Sequence, residues 1–312
     1  MRANPPPKQN PKPAPILPPV LVIFGPTSSG KTKLSLELAE CLPKTLDTEI
    51  EIVGADSRQV YAGMNIGTSK VTRDIMLQVP HHGIDLRPPD KVLSLGDYQA
   101  ITLARIQEIH ARGRLPVLVG GTGSYVLSIA ENWNVGEELL HGEENYRARG
   151  KGEPLFRVGY IRPAISLDAI QRRIDTAITK MIQEGLVEEV VALAERYRLW
   201  EVNRLQRNAL WHTHGYREFL EAAHTHKPVR FLPSKRELPA IIAAIQEHTR
   251  AYAIRQWSWY KKMPPVTPVR SGNEAVPLIK ALFKEEVPPP SPPKPPPPPM
   301  RLNRTQKPRR NY

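Results

Sequence analysis

The chain has 312 residues, 40% of them hydrophobic, which is enough for one core of ordinary size and excludes a mini-protein. Its net charge of +13 and its 34 prolines are unevenly placed: 8 prolines fall in residues 1–19 and 11 in residues 288–312. A single cysteine, Cys41, excludes an internal disulfide framework and a cysteine-based zinc site, and no apolar run reaches the ~20 residues of a membrane span.

Both ends therefore read as disordered arms. Arg2, Lys8 and Lys12 at the start, and Lys294, Arg301, Arg304, Lys307, Arg309 and Arg310 at the end, carry most of the net charge with no acid among them. Such arms attract polyanions by counterion release, nucleic acid being the commonest, although the same composition can serve solubility alone. The expected division is a proline-rich basic arm at 1–19, a folded catalytic region at 20–270 and a mostly disordered proline-rich tail at 271–312. Without an apolar segment after Met1, the expectation is a cytoplasmic monomer with no membrane association.

The folded region opens on Val20-Leu21-Val22-Ile23-Phe24, an unbroken apolar run that suits a strand buried on both faces. Gly25 ends it, and an amphipathic pattern from Lys31 to Leu42 predicts a helix. Strands are expected at Ile50–Gly54, Gly83–Leu86 and Leu115–Val119. A helix is expected at Leu95–Ala111, started by Ser94 with Asp97 and stopped by Gly113. Residues 134–154 are polar and Gly-rich, and Phe156–Ile161 returns as a strand. Beyond it, helices are predicted from Ser166 to Glu184, from Leu186 to Tyr197 and from Ser234 to Lys262. Strands alternating with helices imply a parallel sheet covered on both faces, with a helical C-terminal region.

The loop between the first strand and helix reads Gly25-Pro26-Thr27-Ser28-Ser29-Gly30-Lys31-Thr32, the phosphate-loop pattern, so the fold class expected is α/β and phosphate-loop NTPase-like. Its glycines let backbone N–H groups converge on phosphate oxygens at the positive end of a helix. Lys31 adds a full charge, and Thr32 can ligate Mg²⁺. A nucleotide hydrolase should also place a metal-binding Asp at the end of an apolar strand, yet Leu115–Val119 ends in Gly120-Gly121-Thr122-Gly123. The second strand does lead to an acid, Asp56. That residue could accept a proton, bind a metal, or cap the next turn.

Together these segments resemble the tRNA dimethylallyltransferase family. The resemblance rests on GPTSSGKT at 25–32, ADSRQVYAGMNIGTSK at 55–70, VPHHGIDL at 79–86, PVLVGGTGSY at 116–125, GLVEEV at 185–190, GYRE at 215–218 and HTRAYAIRQWSWYKK at 248–262. It implies transfer of a dimethylallyl group from its diphosphate to N6 of the adenine at position 37, beside the tRNA anticodon, with Mg²⁺. Residues 25–32 would then hold a diphosphate, which accounts for the missing second acid. Asp56, Lys31 and Thr27 would be catalytic, with Asp56 taking the proton from the amine. Asp56, Ser57, Arg58, Gln59 and Thr122 would meet the target nucleotide, the Gln59 amide pairing with an adenine edge.

In the last long helix, Arg250 and Arg255 stand among aromatics, a mixture that can track RNA phosphates and stack on unpaired bases. Trp257 and Trp259, at helical spacing, more readily face a core. His81-His82 belongs to a family motif, with a structural or a catalytic role. The triplets His212-Thr213-His214 and His224-Thr225-His226 lack a neighbouring Cys or suitable acid and do not suggest metal.

Three features depart from the family pattern. The stretch around 132–165, where the family carries a helical insertion that grips the anticodon stem-loop, is reduced. Ala177 stands where an arginine reaches the diphosphate, Arg172, Arg173 and Lys180 being substitutes expected on other faces. His214 replaces an apolar residue. The arms are expected to supply RNA attraction as flexible tethers. Alternative readings are a prenyltransferase for free adenine nucleotides, a small-molecule kinase, and a non-catalytic RNA-binding relative.

Overall fold

The computed structural model describes residues 17–135 and 150–283. Strand β1 (Pro19–Phe24) alternates between two cores: Leu21 and Ile23 join one, Val20, Val22 and Phe24 the other. A strand covered on both faces has no polar side to show, which explains the unbroken apolar run. The chain continues through α1 (Lys31–Leu46), β2 (Ile50–Gly54), α2 (Arg73–Gln78), β3 (His81–His82), α3 (Leu95–Ala111), β4 (Leu115–Gly120), α4 (Gly123–Ala130) and β5 (Arg157–Pro163). Helices α5 (Leu167–Gln183), α6 (Leu186–Arg196), α7 (Val202–Gln206), α8 (Arg217–His224) and α9 (Leu238–Ser258) follow. A 3₁₀ turn at Trp259–Lys261, β6 (Thr267–Val269) and α10 (Gly272–Leu282) complete the described chain.

The six strands are all parallel, in the order β3-β2-β4-β1-β5-β6. β1 lies between β4 and β5, so its carboxyl end delivers residues 25–32 to the crevice where ligands bind in open α/β sheets. One sheet face is covered by α1 and α10 through Leu34, Leu38, Leu42, Ala275 and Ile279. The larger core on the other face gathers side chains from α3 to α6 and from α8 and α9. The expected capping of α3 is present: the Ser94 hydroxyl accepts the Asp97 N–H at 3.0 Å, and Asp97 returns a bond to the Ser94 N–H. Ser166 caps α5, and Gly185 divides α5 from α6 in the left-handed region at φ +101°.

Some expectations need correction. The segment Gly83–Leu86 is not a strand: Gly83 and Asp85 have positive φ, which breaks an extended run, and β3 is confined to the two preceding histidines. The segment is tied instead to 59–60 by backbone bonds from Asp85 and Arg87. Residue 270 is also too early an end for the folded part, because β6 and α10 add a sheet edge and a helix packed on α1. Ser271 caps α10 by accepting the Glu274 N–H. The fully buried α4 was missed because a helix apolar on every side has no amphipathic period to read. The arm at 1–16, residues 136–149 of the reduced stretch, and the tail from 284 lie outside the described residues.

Candidate active site

After Phe24 the chain turns sharply, with Ser28 at φ +59° and Gly30 at φ +96°, and enters α1 at Lys31. Gly30 occupies a backbone region that costs other residues about 1–2 kcal/mol. The Lys31 ammonium folds back to donate to the Pro26 carbonyl at 2.7 Å, closing the loop. Burial pulls the Lys31 pKa down to about 8, with the Asp56 carboxylate opposing the shift. The buried Ser29 hydroxyl has no hydrogen-bond partner, unlike every other buried side-chain polar atom among the described residues. An orphaned hydroxyl, a lysine bonded only to its own loop, and the exposed Thr32 at the first turn of a helix form the donor set a diphosphate oxygen and its Mg²⁺ require.

The loop is braced from the far end of the chain. Gln256, 4% exposed, accepts the Thr27 N–H through Oε1 at 2.9 Å and donates through Nε2 to the Gly121 carbonyl at 2.9 Å. Just beyond it, the Trp259 ring lies so close to Gly123 that an added Cβ would meet it at 2.2 Å. Tyr260 completes this brace, its hydroxyl donating to the Phe24 carbonyl and its ring standing edge-on to that of Phe24. The expectation that these aromatics face inward therefore holds for Trp259. Trp257 stands edge-on to Tyr260, and the Arg162 guanidinium lies 5.4 Å from both rings.

Asp56 follows β2 and faces a cavity of about 890 Å³, which Thr27, Ser28, Arg58, Tyr252 and Arg255 also line. One Asp56 oxygen accepts the Arg58 N–H at 2.8 Å, so the carboxylate caps its own turn while reaching the cavity. Ser57 is buried, its N–H donating to Thr122 Oγ1 at 2.9 Å, and Thr122 donates to the Ser57 hydroxyl. Burial first, then the Asp56 charge, pushes the Tyr252 phenol up to about 12.

The structure redistributes several expected contacts. The Gln59 amide donates to the carbonyls of Thr68 and Ser69, and Gln59 is not on the cavity wall. Thr122 likewise belongs to a turn network behind Asp56. Arg250 points to Asp175 of α5, with a 2.5 Å ion pair, whereas Arg255 reaches the cavity over the Tyr252 ring. His81 and His82 are held by the Val79 carbonyl and the Glu51 carboxylate. Both histidines lie off the wall.

Two features were missed or misread. Ala177 lines the cavity, and Arg173, one turn earlier, sends a guanidinium nitrogen to within 3.6 Å of a Cβ built on Gly30. Residues four apart share a helix face, so Arg173 does reach the cradle, contrary to expectation. No carboxylate among the described residues pairs with it. The other feature is Glu189, whose carboxylate accepts the N–H groups of Asn65, Ile66 and Gly67 and the Tyr216 hydroxyl, pinning the loop after Asp56 to α6 and α8. Its motif was visible in sequence; its partners, Tyr216 and three amides more than a hundred residues away, were not.

The IPP transferase family model matches residues 59–153 and 143–263. The tRNA dimethylallyltransferase of Roseiflexus sp. (strain RS-1) is 32% identical, covering 80% of this chain and 92% of that protein. The protein of the same name from Bacillus velezensis is 30% identical, over 80% and 90%. Among solved structures, the full-length tRNA isopentenylpyrophosphate transferase of Bacillus halodurans is 28% identical and superposes with a TM-score of 0.62, covering 80% of this chain and 89% of that one. The Staphylococcus epidermidis tRNA isopentenylpyrophosphate transferase, 25% identical, gives 0.64 over 85% and 98%. Agreement over so much of both partners' length, in sequence and in backbone, makes this chain a member of the IPP transferase family.

Proposed function

We propose that this protein transfers a dimethylallyl group from dimethylallyl diphosphate to N6 of the adenine at position 37, next to the anticodon of tRNA, giving N6-isopentenyladenosine. The observation that carries this reading is that a phosphate loop and the carboxylate that follows β2, Asp56, meet at one cavity, with no acid at the end of β4.

In this mechanism the loop N–H groups, Ser29, Lys31 and Arg173 hold the diphosphate and stabilise the charge that develops as the bond from the prenyl carbon to oxygen breaks. Thr32 would hold Mg²⁺, which supplies further charge neutralisation on the phosphates when bound. The adenine amine forms the new carbon–nitrogen bond and gives its proton to Asp56, leaving a neutral secondary amine and free diphosphate. Thr27 lines the cavity together with Asp56 and positions the donor. An amine conjugated with a purine ring is a poor nucleophile, so placement contributes more than basicity. The target base must leave its stack, which is easiest in a single-stranded loop. Arg58 and Arg255, both on the wall, meet the RNA there. The protein acts as a cytoplasmic monomer; no described helix is long and apolar enough to cross a membrane.

Mass analysis of nucleosides from tRNA incubated with the protein, Mg²⁺ and dimethylallyl diphosphate tests the reading. Prenylated adenosine is expected in tRNA. Prenylation of free adenine nucleotides alone, ATP consumption without prenyl donor, or RNA binding without transfer would each replace it.

A further inference from the structure

In the sequence, neither His-Thr-His triplet shows a complete metal-ligand set, and folding changes that for one of them. His226 turns to Glu237, His224 to the Leu199 carbonyl and His212 to the Gln206 carbonyl. His214 instead meets Glu218, a turn further on, together with His248 of α9. Nδ1 of His214 is 3.3 Å, and Nδ1 of His248 2.7 Å, from the same Glu218 oxygen. The three donor atoms lie within 4.8 Å of one another, and the two rings are 5.5 Å apart. The Glu218 side chain is 2% exposed, and its second oxygen accepts the Gly215 N–H at 2.8 Å, which fixes the carboxylate.

Two imidazoles and one carboxylate are a donor set of borderline divalent ions, with water completing the shell. At bond lengths of about 2.0–2.1 Å, neighbouring ligands of a tetrahedral ion stand about 3.3 Å apart. His214 and Glu218 already have that spacing, and His248 must withdraw by roughly half an ångström. With each imidazole proton on Nε2, both Nδ1 atoms are free to act as ligands beside the carboxylate. The Gly215 N–H supplies the outer bond that orients a ligating carboxylate.

We propose that His214, Glu218 and His248 bind a zinc-class divalent ion at a site separate from the phosphate loop. The ion joins the start of α8 to α9 at the cavity wall that His214 lines. The next turn of α9 presents Tyr252, whose ring centroid lies 5.9 Å from that of His214 and which lines the same cavity as Asp56. An ion here braces the wall on the acceptor side. Mg²⁺ prefers oxygen ligands and does not compete for two imidazoles.

The test uses the full chain, stripped by a chelator and titrated with Zn²⁺, and with Co²⁺ as a spectroscopic probe, in millimolar Mg²⁺. One equivalent is expected, with the intense visible absorption of low-coordinate Co²⁺, displaced by Zn²⁺. His248→Ala and His214→Ala should each weaken Zn²⁺ binding at least about tenfold and remove the Co²⁺ band. His226→Ala should change neither. Zn²⁺ should raise the melting temperature of the unaltered chain and not of His248→Ala, whose half-exposed side chain can be lost without unfolding. No stoichiometric binding at micromolar Zn²⁺, or binding that survives His248→Ala in a protein shown folded by circular dichroism, would overturn the proposal.

Discussion

The two sides of the cavity are built on different principles. The phosphate-loop side is local: eight consecutive residues, from the end of β1 into the first turn of α1, supply the left-handed turns, the converging amides and the charge. The helical side is assembled from distance. Glu189 reaches back to residues 65–67, Gln256 to Thr27, and His248 to Glu218. A local site can be read as a motif, whereas an assembled wall shows only as isolated polar residues inside helices. The difference teaches where to aim substitutions: the local side should govern chemistry, and the assembled side should govern stability and fit.

The largest effects should come from the residues assigned to the reaction. Asp56→Ala should lower turnover about 10²–10⁴-fold while sparing prenyl diphosphate binding, and Lys31→Ala should impair both. Single-turnover kinetics with separate binding measurements will distinguish the two, and near-normal turnover by Asp56→Ala would remove it as the base. Arg173→Ala should raise KM for the prenyl donor on the order of tenfold, with Arg172→Ala close to neutral, because a charge-assisted bond to phosphate contributes about 1.5–3 kcal/mol. Equal effects of the two would place the missing arginine's role elsewhere.

On the assembled side, Glu189→Ala should destabilise the fold by about 2 kcal/mol, since one carboxylate serves three amides and a hydroxyl. Urea unfolding would measure this, and an unchanged midpoint would show that the 65–67 loop holds itself. The gentlest probe is pH. Lys31 has its pKa lowered to about 8, so it is charged below that pH and loses its proton as pH rises through it. Without diphosphate bound, kcat/KM for the donor should therefore fall between roughly pH 7 and pH 9, following the one lysine. Lys31→Arg, whatever its absolute rate, should flatten that limb because arginine stays charged. A wild-type profile level to pH 9 would contradict the buried-lysine picture.

Several elements were legible because their signals are short-range. The unbroken run at Val20–Phe24, the Ser94 and Ser166 caps, and Gly185 each act within a turn of the backbone they shape. Others were not, for equally physical reasons. Gln59 looked like a base-reading amide until the Thr68 and Ser69 carbonyls accepted its N–H groups, and Arg250 looked free until α5 brought Asp175 to it. The edge at β6 and α10 was hidden because its sheet partner is β5, about a hundred residues earlier.

By itself, then, the amino-acid order determined the parallel α/β class, the phosphate cradle and the acid that follows β2, because steric preference, capping and apolar periodicity act between near neighbours. Only the tertiary structure decided that the Arg173 guanidinium comes up beside Gly30, that Gln256 braces the loop, and that His214 and His248 share a carboxylate. Those outcomes depend on which helix faces meet across the sheet, and close packing of a whole core settles that at once rather than residue by residue.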